Sequence, residues 1–195
     1  MVLRRPHFNH ESPLICPPQP NINRVEEVKV LGVSFTAKLS FEPHIDHVIT
    51  RASQSMYALR ILKEHGLRGH ELFEVTRATV IASILYASPA WWGFASAGAR
   101  DRLQSCVNKC KRRGFLPETA PDLRCLRAQQ DNELFGRVLA DPYHVLHRLL
   151  PPIKDTPYQL RPRKHNREIP KADTTQRKSF IMRLLTDYSP NTTTV

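Results

Sequence analysis

The chain has 195 residues, with 29 Lys plus Arg against 18 Asp plus Glu and a formal net charge of +11. That length fits one domain with tails, and 41% apolar residues allow a core of modest size. No apolar run approaches the roughly 18 residues of a membrane span, and Met1 to Pro20 has no continuous apolar region of the kind a secretory signal needs. Charge of this sign favours a polyanionic partner, nucleic acid before others, over a neutral one.

Residues 1–24 are Pro-rich and read as irregular or disordered, with PLIC (13–16) as a short strand stopped by Pro17 and Pro18. The stretch VKVLGVSF, 28–35, is the best strand. Val28 and Val30 lie on one face of an extended chain, and Leu31, Val33 and Phe35 on the other. Apolar residues on both faces imply a strand covered twice or bent at Gly32.

Helical periodicity then takes over. Ile45, Val48, Ile49, Ala52, Met56 and Leu59 recur along one stripe, with Ser40 as the expected N-cap and Gly66 at the C-terminal end. A second helix is expected over about 70–87, ended by Ser88 before Pro89. Trp91 and Trp92 are adjacent, so one is expected to be packed and the other partly exposed. A third helix is expected over about 97–113, from Ser96 to Gly114. It carries Leu103, Cys106, Val107 and Cys110 on one face.

A fourth helix fits 121–140, and Asp141 before Pro142 predicts a short fifth through Val145, Leu146 and Leu149. Residues 151–195 form a basic, largely irregular tail. Its stretch 158–183 carries Arg161, Arg163, Lys164, Arg167, Lys171, Arg177, Lys178 and Arg183 against Glu168 and Asp173. FIMRLL (180–185) reads as a turn or two of helix. The expected fold is therefore mainly α. A bundle-like helical body (25–150) bears one short N-terminal β element and lies between disordered termini.

The chemistry-bearing residues are sparse. Cys106 and Cys110 are four apart on a helix, without further ligands at zinc-site spacing, so buried reduced thiols are expected and no metal. His44 and His47 lack partners in the same way. There is no glycine-rich phosphate loop, no HExxH and no GxSxG, and the aspartates stand singly. No catalytic residue or cofactor is expected. Two basic clusters are candidates for nucleic-acid backbone contact: Lys109, Lys111, Arg112 and Arg113 at the end of the third helix, and Arg161, Arg163, Lys164 and Arg167 in the tail. At a helix C-terminus such cations also complement the dipole.

Taken in order, several phrases resemble one family. Lys29, Leu31, Gly32 and Val33, then Leu39, Phe41, His44 and Ile45, then Ala52, Leu59 and Arg60 resemble the region just after the palm in reverse transcriptases of non-LTR retrotransposons. Leu85, Tyr86, Pro89 and Trp91 look like the next segment of that family. YQLRPRKHN (158–166) and SFIMRLL (179–185) look like its closing phrases. The match runs over about residues 25–185. It implies that Lys29, Leu31, Gly32 and Val33 belong to a primer-grip hairpin between palm and thumb, and that the following helices resemble the thumb, which closes on a duplex by backbone contacts. The family's Tyr/Phe-Ala-Asp-Asp motif is not in residues 1–24. The expectation is a transposon-derived C-terminal segment, intracellular and without its own polymerase activity, that contacts DNA or RNA and pairs with a palm domain or a full-length polymerase. The alternative is an independent basic helical module that binds nucleic acid or protein.

Overall fold

A computed structural model of the chain describes residues 23, 25–153 and 165–188. The protein is mainly α-helical with one two-stranded antiparallel sheet. PLIC and the Pro-rich start lie outside the described residues.

VKVLGVSF is two strands, β1 (Glu27–Val30) and β2 (Val33–Thr36), joined at Leu31-Gly32. Both turn residues have positive φ, 47° and 85°. This is the backbone that a two-residue hairpin turn demands, and glycine adopts it without steric cost. Val28 pairs with Phe35, and Val30 with Val33. Cross-strand partners share a face, so all four apolar side chains lie on one side and Glu27, Lys29, Ser34 and Thr36 on the other. Of the two expectations for this stretch, the strand covered on both faces is corrected, and the bend at Gly32 is present as the hairpin turn. The turn reverses the chain and brings both apolar sets to one face.

Two compact units follow from the contacts. The first comprises the described residues up to Ile84 together with Phe94–Pro117, and the second Leu85–Gly93 together with the described residues from Glu118 onward. In the first unit β2 packs on α1 (Glu42–Glu64), and Phe41 links the ring of Phe35 at 5.7 Å to that of Phe94 at 5.4 Å. Ile45, Val48, Ala52, Met56 and Leu59 are buried, as their spacing predicts. The helix begins later than expected. Pro43 occupies its first turn, and Ser40 Oγ accepts only a 3.4 Å hydrogen bond from the Glu42 N–H rather than capping as Ncap.

The expected second helix is interrupted. α2 (Gly69–Thr76) passes into a π-helical stretch, Arg77–Ile81, and then α3 (Ala82–Leu85). Thr76 and Thr79 each donate a hydroxyl hydrogen bond to the carbonyl four residues back, at 2.8 and 2.7 Å. Such back-bonding perturbs a helix. Ala87, at φ 51°, then turns the chain into α4 (Ser88–Trp91) and a 3₁₀ turn over Trp92–Phe94. α5 (Ala97–Arg112) closes the first unit, with Ser96 Oγ accepting from the Ala99 N–H as a true N-cap. Leu103, Cys106, Val107 and Cys110 form its buried face.

The second unit is built around α6 (Leu123–Ala140). Phe135 packs there with Leu184 and Leu185 of α8 (Phe180–Asp187), which follows the short α7 (Thr174–Arg177). FIMRLL is thus helical and contributes to the core. His165 Nε2 lies 2.7 Å from the Leu185 carbonyl, and the rings of His165, Phe180 and Tyr188 surround Phe135. Trp91 and Trp92 are both buried, at 0% and 6% exposure, which corrects the expectation that one would be partly exposed. Trp91 Nε1 donates to the Tyr86 carbonyl, and the Arg127 guanidinium covers Trp92 at 5.6 Å. At Gly93 a Cβ would lie 1.9 Å from the Lys178 carbonyl oxygen, so only glycine allows this approach. The expected fifth helix is absent. Asp141 accepts from the Tyr143 N–H to close a turn, only His147–Leu149 forms a 3₁₀ turn, and Val145 and Leu149 are exposed.

Candidate nucleic-acid interface

α1 and α5 run in parallel. Near their starts Arg102 reaches Asp46 at 2.5 Å and Glu42 at 3.7 Å, and Ser96 Oγ bonds Glu42 at 2.8 Å. At their ends Lys63 Nζ donates to the Arg113 carbonyl at 2.7 Å. Between these ends lies a groove of about 630 Å³ lined by Ser53, Met56, Tyr57, Arg60, Lys63, Lys109, Arg113 and Phe115. Met56 and Phe115 are buried and form an apolar floor, while Tyr57 is 63% exposed at the rim.

The cations of this groove differ in their commitments. Arg60 lies 5.5 Å over the Tyr57 ring and pairs with Glu64 at 3.4 Å. Lys63 is tied to the end of α5 and lies 5.8 Å from the Phe115 centroid. No carboxylate among the described residues pairs with Lys109 or Arg113. Four cations, one carboxylate and two helix C-termini of about half a negative charge each leave an excess of about two positive charges. Complementing the helix ends therefore accounts for only part of this charge.

The structure separates the residues expected from the sequence. Lys109 and Arg113 line the groove; Lys111 and Arg112 share the helix end but are not among its lining residues. Arg167 is bridged to Ile153 and donates to the Pro151 carbonyl at 2.7 Å, a structural commitment. Arg161, Arg163 and Lys164 lie outside the described residues. In the hairpin, Val33 is buried, Lys29 sits on the polar face, and Leu31 projects at the tip, 87% exposed. Tyr57, Lys63 and Phe115 escaped sequence reasoning, and Arg60 entered it only through the resemblance. A signal existed, since Ser53, Tyr57 and Arg60 flank the apolar stripe at helical spacing.

Elsewhere, burial shifts the buried thiols and one imidazole. Burial pushes the Cys110 thiol up to about 11 and raises that of Cys106, which holds both protonated at neutral pH. Burial also lowers the His44 pKa, with His47 and Lys29 acting in the same direction. Among the described residues no group of three or more His, Cys, Asp or Glu is placed to hold a metal ion, and no helix is long and apolar enough to cross a membrane.

No family model, curated protein or solved structure matches this chain.

An apolar floor, one exposed aromatic ring and cations on both walls can accept an anion with an attached flat or apolar group. No Asp or Glu is among the residues that line the groove.

Proposed function

We propose that this protein is a retroelement-derived remnant of an RNA-directed DNA polymerase that contacts nucleic acid by its backbone and does no catalysis itself. The observation that carries the proposal is the convergence of Lys109 and Arg113 with Arg60 and Lys63 across two parallel helices. Cations on rigid elements cost less ordering entropy per phosphate contact than cations on a flexible tail. The order of elements supports the lineage. A hairpin bearing Lys29, Leu31, Gly32 and Val33 precedes a helical unit, as primer grip precedes thumb in the resembled polymerases. The exposed Val30 and Leu31 at the hairpin tip offer an apolar edge to a palm domain or a full-length polymerase. In the resembled polymerases an aspartate pair upstream of the hairpin places Mg²⁺ on the incoming nucleotide, and this reading assigns the present residues backbone contact alone.

The test is a salt titration on labelled single-stranded and duplex DNA of one length. Expected Kd values are on the order of micromolar to 100 micromolar at physiological salt. The K109A/R113A double variant should flatten the slope of log K against log salt by roughly 0.7 to 0.9 units for each phosphate it no longer neutralises. K111A/R112A should change it less. An unchanged slope in both variants would reduce the cluster to solvated charge and end the proposal.

A further inference from the structure

The groove between α1 and α5 is recessed, whereas the phosphates of a duplex follow a convex ridge that protruding cations reach best. Its floor is Met56 and Phe115, both buried and apolar, and a phosphate seated there would lose its hydration with no donor in return. The cations stand instead on the walls: Arg60 and Lys63 on α1, Lys109 and Arg113 on α5. The exposed Tyr57 ring stands on the α1 wall, with one face covered by the Arg60 guanidinium at 5.5 Å. The volume of about 630 Å³ lies within the roughly 300–1,000 Å³ usual for ligand clefts, a scale suited to an unpaired nucleotide rather than a helix.

We infer that this groove holds an unpaired base against Tyr57 and the apolar floor, with the adjoining phosphates on Arg60, Lys109 and Arg113, so that single-stranded nucleic acid is the preferred ligand. The inference rests on the nucleic-acid reading above and narrows it. Each base has an apolar π face, so stacking of this kind tolerates any sequence. Arg60 is also paired with Glu64 at 3.4 Å, both side chains being 59% exposed, so the guanidinium remains open to solvent and to a phosphate. Lys63 acts as a positioning residue, since its ammonium already holds the Arg113 carbonyl.

The decisive probes share one length of about 12 nucleotides, within the usual span of single-strand sites. They are a fluorescein-labelled single strand of mixed sequence, the same backbone made abasic, and the matching duplex, all with the full chain. Wild type should bind the base-bearing strand about five- to a hundredfold tighter than the abasic one. Tyr57→Ala should remove most of that ratio with the salt slope unchanged, and Tyr57→Phe should retain it. The abasic comparison on wild type needs no variant, so it remains decisive if Tyr57→Ala misfolds. Equal affinity for abasic strand, base-bearing strand and duplex would overturn the inference while leaving backbone contact in place. Absence of salt-dependent binding to all three would remove the nucleic-acid reading itself.

Discussion

Asp46 and Asp131 each hold an arginine at 2.5 Å, and their surroundings make the two pairs unequal. The Asp46 side chain is 58% exposed and that of its partner Arg102 50%; such a pair contributes little, because water screens it and two side chains must be ordered. Asp131 is 1% exposed and takes Arg127 at 2.5 Å and Arg183 at 2.6 Å on the same oxygen. Arg183 also reaches the Pro89 carbonyl at 3.3 Å. One buried carboxylate thus neutralises part of two half-buried cations, whose side chains are 21% and 13% exposed, and removing its charge leaves both uncompensated. Asp131→Asn should destabilise the protein by roughly 3 kcal/mol, and Asp46→Asn should have little effect, because water screens its pair. Urea unfolding of the two variants side by side makes the comparison, and equal midpoints would show that the buried cluster contributes no more than a surface pair. Nothing in the sequence marked Asp131. It stands in a run of polar residues, and only the fold places Arg127 and Arg183 on one of its oxygens.

The helices with regular stripes, α1 and α5, were legible because 3.6-residue spacing is a local property of the chain. Elements that depend on backbone conformation were less so. The hairpin looked like one strand because Leu31 is an unusual residue for a left-handed position, where Asn-Gly would have announced the turn. The π stretch at Arg77–Ile81 leaves no trace in apolar spacing, and the fifth helix failed although Asp141-Pro142 signals a start, because Val145 and Leu149 find no buried surface. In the groove, the basic cluster on α5 was readable as a charge run. Its α1 wall was not, because the pairing of two helices far apart in sequence is a tertiary fact. The turn also gives a prediction. A left-handed Leu costs roughly 1–2 kcal/mol, and Asn tolerates that conformation better. Leu31→Asn should therefore raise stability by on the order of 1 kcal/mol and move the thermal midpoint upward. A lower midpoint would mean that the Leu31 side chain contributes more to packing than its backbone costs in strain.

At the scale of the whole molecule, the two units are interleaved in sequence. The chain leaves the first unit at Leu85, spends nine residues in the second, returns at Phe94 and leaves again at Glu118. Periodicity along the chain presents 25–150 as one helical region, since so brief an excursion carries no compositional mark. The excursion contains both tryptophans, and their cover comes from later residues. Arg127 lies over Trp92, Gln130 accepts from the Ser88 hydroxyl at 2.9 Å, and Lys178 backbone abuts Gly93. Full burial of two tryptophans corresponds to an upper bound on the order of 10 kcal/mol, more than the typical margin that holds a domain folded can easily replace. A fragment ending at Pro117 should thus behave as two parts. Its first-unit core, including Ile45, Met56, Leu72, Ile84, Leu103 and Phe115, is complete, so helical circular dichroism and a cooperative melt are expected. Trp91 and Trp92 are left without their cover, so their fluorescence should shift to the red relative to the full chain. They are the only tryptophans present, so the emission reports on this segment alone. Emission as blue as that of the full chain would mean that residues 85–93 find their burial without the second unit, and that the interleaving is not what holds them.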